Sequence, residues 1–267
     1  MKKLKLVTTI ICLFAFSSFT VKAALVTEWG FEINSGFVNY DPSGSVDPSN
    51  TNALWNAPST LTWGTSTGSG RSSLDVGGAT NGYFAGNMFT NGAAVNTVSV
   101  THTNNPVTGT SLNTASLADH IRLTPLTPVG TGFDVPSLLF NINFIETTNT
   151  APCAANSPVP CNDIFVLDIV GAGFNPANNT LNQNFLYGGD SYNARLFIDG
   201  LGLLTDSECA AASVASGCIG FTTVENQINT FQVALDITTE TFEVPETGTL
   251  AIFLVGLLSL LVSKRKA

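Results

Sequence analysis

Apolar and polar residues alternate with a period of two at several places along the chain. Phe140, Ile142 and Phe144 fall on one side of an extended segment, while Asn141 and Asn143 fall on the other. Phe231, Val233, Leu235 and Ile237 repeat the pattern near the end of the body. Successive side chains of an extended strand point to opposite faces, so this alternation predicts antiparallel strands with one buried and one wet face. Residues 164–170 are more continuously apolar, as a strand central to a sheet would be. Residues 25–31, 97–102, 120–124 and 192–199 help complete a set of about ten predicted strands. No stretch of the body sustains a helical period. The expected fold is all-β: one β-sandwich of jelly-roll type over residues 24–242, with an N-terminal signal helix before it and a C-terminal hydrophobic helix after it. Residues 41–50 and 175–184, rich in Asn, Asp, Pro, Ser and Gly, are expected to be loops.

The two ends depart from this pattern. Residues 1–23 open with Lys2, Lys3 and Lys5, continue through an apolar run and close on Val21-Lys22-Ala23, the order of a cleavable secretory signal. Cys12 lies inside the apolar run behind Ile11, the wrong setting for lipidation. Residues 243–267 reverse the order. A Pro-containing turn is followed by thirteen uncharged, mostly apolar residues from Leu250 to Val262 and then by the basic stop Lys264, Arg265, Lys266. A helix of that apolar run would be about 20 Å long, against a hydrocarbon core of about 30 Å, which fits marginal or transient insertion with the basic end in the cytoplasm.

The tail carries a resemblance. Val244, Pro245, Glu246, Thr247 and Gly248, the apolar run and the basic end resemble the PEP-CTERM sorting signal of Gram-negative bacteria. The resemblance implies export through the inner membrane, with signal peptidase and exosortase as processing enzymes and the membrane as a partner through the tail. It further implies a destination at the cell surface, outer envelope or extracellular matrix, in association with exopolysaccharide or biofilm. Thr247 stands where a second proline is usual, and the resulting Pro245-Glu246-Thr247-Gly248 is also similar to the LPXTG signal of sortase substrates, with Val244 in place of its leucine. Thr101, His102 and Asn104, within Thr101-His102-Thr103-Asn104-Asn105-Pro106-Val107, resemble the signature of the THxN family of PEP-CTERM proteins, whose body is similar to the choice-of-anchor K domain. That family is defined by its sorting signal, so the resemblance implies no activity.

Charge narrows the list of partners. All nineteen acidic residues lie between Glu28 and Glu246, where the only cations are Arg71, Arg122 and Arg195, giving this segment a formal charge of −16. A lysine-free acidic body offers no footing for phosphate backbones, which excludes nucleic acid as a partner. Four cysteines follow the signal. In an oxidising compartment their close spacing favours the disulfides Cys153–Cys161 and Cys209–Cys218 among three connectivities. Neither pair has the spacing of a zinc site.

Candidate chemistry is sparse. Gly64-Thr65-Ser66-Thr67-Gly68 matches GxSxG, but the Ser/Gly-rich stretch after it cannot start the helix that a nucleophile elbow requires, so it reads as a loop. His102 is read as a packed or hydrogen-bonded imidazole beside an Asn-Pro turn, and the sharper alternative makes it a ligand or base. The body is expected to be non-enzymatic, with no catalytic residues, cofactor or metal. Ca²⁺ bound by Asp41, Asp47, Asn50 and Asn52 is the single cofactor alternative, although their spacing lacks the order of a calcium loop. Trp29, Trp55 and Trp63 motivate a second function, a carbohydrate-binding module stacking on sugars.

Overall fold

The structure, a computed structural model, describes residues 24–52, 56–170 and 173–239. The signal, Trp55 and the whole tail from Val244 to Lys266 lie outside the described residues. So do both terminal helices expected from the sequence. Among the described residues, no helix is long and apolar enough to cross a membrane.

Two antiparallel sheets enclose one core. The first has the order β15 (Gly202–Leu203), β16 (Ile219–Thr223), β11 (Asp163–Val170), β10 (Phe133–Ile145), β9 (Thr114–Thr127), β1 (Glu28–Asp41), β6 (Tyr83–Phe89). The second has the order β12 (Gly173–Asn175), β13 (Thr180–Tyr187), β14 (Asp190–Ile198), β17 (Gln227–Thr238), β7 (Val95–Asn104), β5 (Ser72–Val76), β3 (Pro58–Trp63), β2 (Asp47–Thr51). A small ribbon pairs β4 (Thr65–Ser66) with β8 (Val107–Thr108). The structure is therefore all-β and sandwich-like.

The alternating segments behave as their pattern requires. Phe140, Ile142 and Phe144 are buried on β10, and Phe231, Val233, Leu235 and Ile237 are buried on β17. The apolar stretch 164–170 is β11, paired on both sides by β10 and β16. Trp29 on β1 is fully buried, with the rings of Phe185 and Tyr192 edge-on to it at 5.8 and 5.1 Å. Such edge contacts set the negative ring face against a positive ring edge, and the polar end is satisfied because Trp29 Nε1 donates to Thr90 Oγ1 at 2.9 Å.

Three local expectations are corrected. Part of the stretch 41–50 is strand, because β2 pairs with β3 as an edge strand that is exposed throughout. β2 itself has no buried face, so no apolar alternation betrays it. Residues 180–184 begin β13, where the outward positions are filled by Asn182 and Asn184 and only Leu181 and Phe185 carry the apolar signal. A single helical turn, α1 (Asp206–Ala211), interrupts the β pattern. It is too short for a period to show and is fixed by a capping box: Glu208 N donates to Thr205 Oγ1, and Thr205 N donates to Glu208 Oε2.

Both disulfides form as the spacing favoured, Cys153 with Cys161 and Cys209 with Cys218. The second ties α1 to the entry of β16.

Candidate functional site

A buried polar layer lies between the sheets at one end of the sandwich. Glu146 directly follows β10, Asp163 opens β11, and Glu225 lies in the turn between β16 and β17. Strands β10, β11 and β16 are neighbours running antiparallel, with Ile145 opposite Ile164 and Asp163 opposite Thr223. Three residues 17 to 79 positions apart in the chain therefore arrive at one edge. One carboxylate oxygen from each lies within 4.8 Å of the others. Among the described residues, this is the one group of three or more His, Cys, Asp or Glu side chains that converges in this way.

The opposite sheet supplies the rest of the layer. Trp63, the last residue of β3, is fully buried and donates its indole N–H to Glu146 Oε2 at 3.3 Å. His102 on β7 stacks on that indole, centroids 5.5 Å apart and planes 16° from parallel. Phe144 and Phe165 meet the imidazole edge-on. His102 Nδ1 lies 2.9 Å from Thr223 Oγ1, and Asn104 Nδ2 donates to Thr223 O at 3.3 Å. Strand alternation thus divides the Thr101-His102-Thr103-Asn104 motif. His102 and Asn104 point inward to Thr223 on the other sheet, while Thr101 points outward, its hydroxyl 3.1 Å from that of Thr230.

Burial sets the electrostatics. The His102 pKa is lowered to about 3 because the charged imidazolium would be desolvated, so the ring is neutral at any physiological pH. The three carboxyls move the other way. Burial raises Glu146 and Asp163, reinforced by the repulsion of their acidic neighbours and partly offset by the Trp63 indole and by Thr147 respectively. Burial raises Glu225 as well. Thr147 N donates to Asp163 Oδ1 at 2.8 Å, but Asp163 Oδ2, both Glu225 oxygens and Asn104 Oδ1 are buried without a well-formed hydrogen bond. A layer of this kind binds either protons or a hard cation; a neutral, boxed imidazole stacked against an indole is packed as core.

The other candidates lie apart. Ser66 of the GxSxG stretch is exposed on β4, its Oγ accepting from the N–H groups of Gly68 and Gly70. This is loop geometry, without the strand-to-helix elbow of a hydrolase. Asp47 pairs with Arg71, Asp41 accepts from Asn113, and the amide nitrogens of Asn50 and Asn52 donate to Thr60 Oγ1 and Ser35 O. These four residues hold loops and the edge strand in place. Trp29 and Trp63 are both fully buried, so neither presents a face to a sugar.

An open polar cleft of about 600 Å³ lies on the outer face of β13 and β14, lined by Asn182, Asn184, Asn193 and Arg195 with Asn175 and Thr238.

Sequence reasoning missed the carboxylate trio. Glu146, Asp163 and Glu225 form no motif, and only the pairing of β10, β11 and β16 brings them together. The available signal was the Thr101-His102-Thr103-Asn104 stretch, whose inward residues mark the layer beside it. No protein-family model matches this chain, and no curated protein is detectably similar to it.

Proposed function

We propose that this chain is an exported, non-enzymatic surface or matrix protein, sorted and processed at its C-terminal tail by exosortase and associated with extracellular polysaccharide. The observation that carries the reading is the pair of disulfides, which belong to an oxidising compartment and sit in a body that has no lysine. The signal-like residues 1–23 and the tail from Val244 to Lys266 support the same destination. The jelly-roll wiring is part of this reading; the chain's repeated crossing from one sheet to the other, β1–β2, β5–β6 and β11–β12 among the crossings, supports it. The test is fractionation of a tagged full chain in a Gram-negative host that encodes an exosortase, with the tail followed by mass spectrometry. Oxidised protein outside the inner membrane, shortened near Pro245, is the expected result. Intact tail and reduced cysteines on cytosolic protein would overturn it, and cleavage only by a sortase would move the chain to the LPXTG reading.

A carbohydrate-binding role is the second reading, now supported by the Asn-lined cleft on β13 and β14 instead of by tryptophans. Amide side chains both donate and accept, as sugar hydroxyls do. Affinity electrophoresis in the host's own polysaccharide tests it: retention lost on Asn182→Ala with Asn184→Ala supports it, and unretarded wild type removes it.

A further inference from the structure

We infer that the polar end of the sandwich is a binding site for one calcium ion, held by the carboxylates of Glu146, Asp163 and Glu225 with the amide oxygen of Asn104 beside them. The geometry is that of one coordination sphere. Ca²⁺–oxygen distances are about 2.3–2.6 Å, so oxygens on opposite sides of one ion lie up to about 5 Å apart. The three carboxylate oxygens fall within 4.8 Å of one another.

A second observation is independent of that clustering. Asn104 is fully buried, its amide nitrogen is spent on Thr223, and its Oδ1 receives no hydrogen bond. Asn104 lies two residues from His102 on the inward face of β7, and its partner Thr223 is the register neighbour of Asp163. Buried acceptors of this kind are costly unless something positive or a donor meets them. Asp163 Oδ2 stands in the same condition on a residue with 0% exposure, and the Glu225 carboxylate, at 3% exposure, has only the Asn149 side chain as a loose partner.

Among the described residues, no arginine is paired with the trio. The body has three arginines and no lysine, and Arg71, Arg122 and Arg195 are paired with Asp47, Asp134 and Asp236. Trp63 and Thr147 meanwhile hold one oxygen of Glu146 and one of Asp163, as outer groups orient metal ligands. An all-oxygen set selects a hard cation. Burial of Asp163 and Glu225 leaves little room for the several waters that Mg²⁺ retains, which favours Ca²⁺.

The inference goes beyond the export reading and is tested without it, on purified, disulfide-bonded full chain stripped with a chelator. Tb³⁺ reports the location, because Trp63 is the indole adjoining Glu146 and transfers excitation to a lanthanide held there. Expected are Trp-sensitised Tb³⁺ emission saturating at one ion per chain, displacement by Ca²⁺ but not by equal Mg²⁺, and a melting temperature raised by Ca²⁺. The Asp163→Asn, Glu225→Gln pair should abolish all three, whereas Asp47→Asn, on the remote Arg71 pair, should leave them unchanged. Glu146→Gln, at the more open side of the site, serves if the double variant does not fold, and should weaken Ca²⁺ binding at least tenfold. Absence of emission and of any melting shift in wild type, or a Glu146→Gln or double variant that responds like wild type, overturns the site.

Discussion

Trp63 joins the two sheets through both of its surfaces: its N–H reaches Glu146 Oε2 at 3.3 Å, and its face lies on the imidazole of His102 at 5.5 Å. One side chain therefore fixes a carboxylate on the first sheet and a neutral histidine on the second. The consequences are measurable at both.

Replacement of His102 should show what the ring is for. His102→Ala should cost about 3–4 kcal/mol in urea unfolding, the range for deleting a large buried ring. His102→Phe should recover much of that loss, because the surrounding Trp63, Phe144 and Phe165 accept a ring. The two variants also separate packing from titration. The native pKa of about 3 lies below the unfolded value of 6.5, so the unfolded chain binds the extra proton and stability is lost as pH falls from about 6.5 toward 3. His102→Phe lacks this loss. Urea midpoints at pH 7 and pH 4.5 should converge for that variant relative to wild type; an unchanged pH slope would contradict the buried neutral imidazole.

Asp119 should act with the opposite sign. It lies on β9 facing the apolar interior among Val98, Leu117 and Phe231, and burial raises its pKa to about 6, with Ser35 opposing. The native state then holds a proton that the unfolded state has released, so stability falls as pH rises from about 4 to about 6 and stays lowered above that. A rise of about two units corresponds to about 3 kcal/mol. Asp119→Asn should be more stable than wild type at pH 7.5 and equal to it near pH 4, as read by thermal melts at both values.

Gly220 is the tightest glycine in the first sheet. A Cβ there would meet the carbonyl oxygen of Phe165, a backbone atom on the paired strand that cannot step aside. Gly220→Ala should destabilise the protein by about 3 kcal/mol or more, as strain and lost pairing together do. Because β16 also carries Thr223, the same variant should quench Trp63-sensitised Tb³⁺ emission before global unfolding.

The disulfides should contribute comparably to one another. Each closes a short loop, 8 and 9 residues in sequence separation, for which loop entropy gives about 2.5 kcal/mol. Cys153→Ser with Cys161→Ser should additionally weaken the carboxylate layer, since Thr147 Oγ1 lies 3.1 Å from Cys161 O and 3.2 Å from Asp163 Oδ1. Cys209→Ser with Cys218→Ser should lower the melting temperature without changing Ca²⁺ affinity. Equal loss of affinity in both pairs would show that the effect is global.

The sequence by itself determined what depends on neighbours along the chain. Alternation at 140–144 and 231–237 specified strands and their buried faces, because one-sided burial forces a period of two. Cysteines eight and nine apart specified their partners, because short loops close most readily. Polar strands escaped this logic: β2 has no buried face, and the Asn residues of β13 read as turn formers. His102 was legible as a packed residue, but not as the partner of Trp63 and Thr223, which stand 39 and 121 positions away. The carboxylate layer was decided by tertiary structure alone. Glu146, Asp163 and Glu225 become neighbours only because β10, β11 and β16 lie side by side and end together. Charge repulsion and burial are properties of that assembled edge, and no local stretch of sequence contains them.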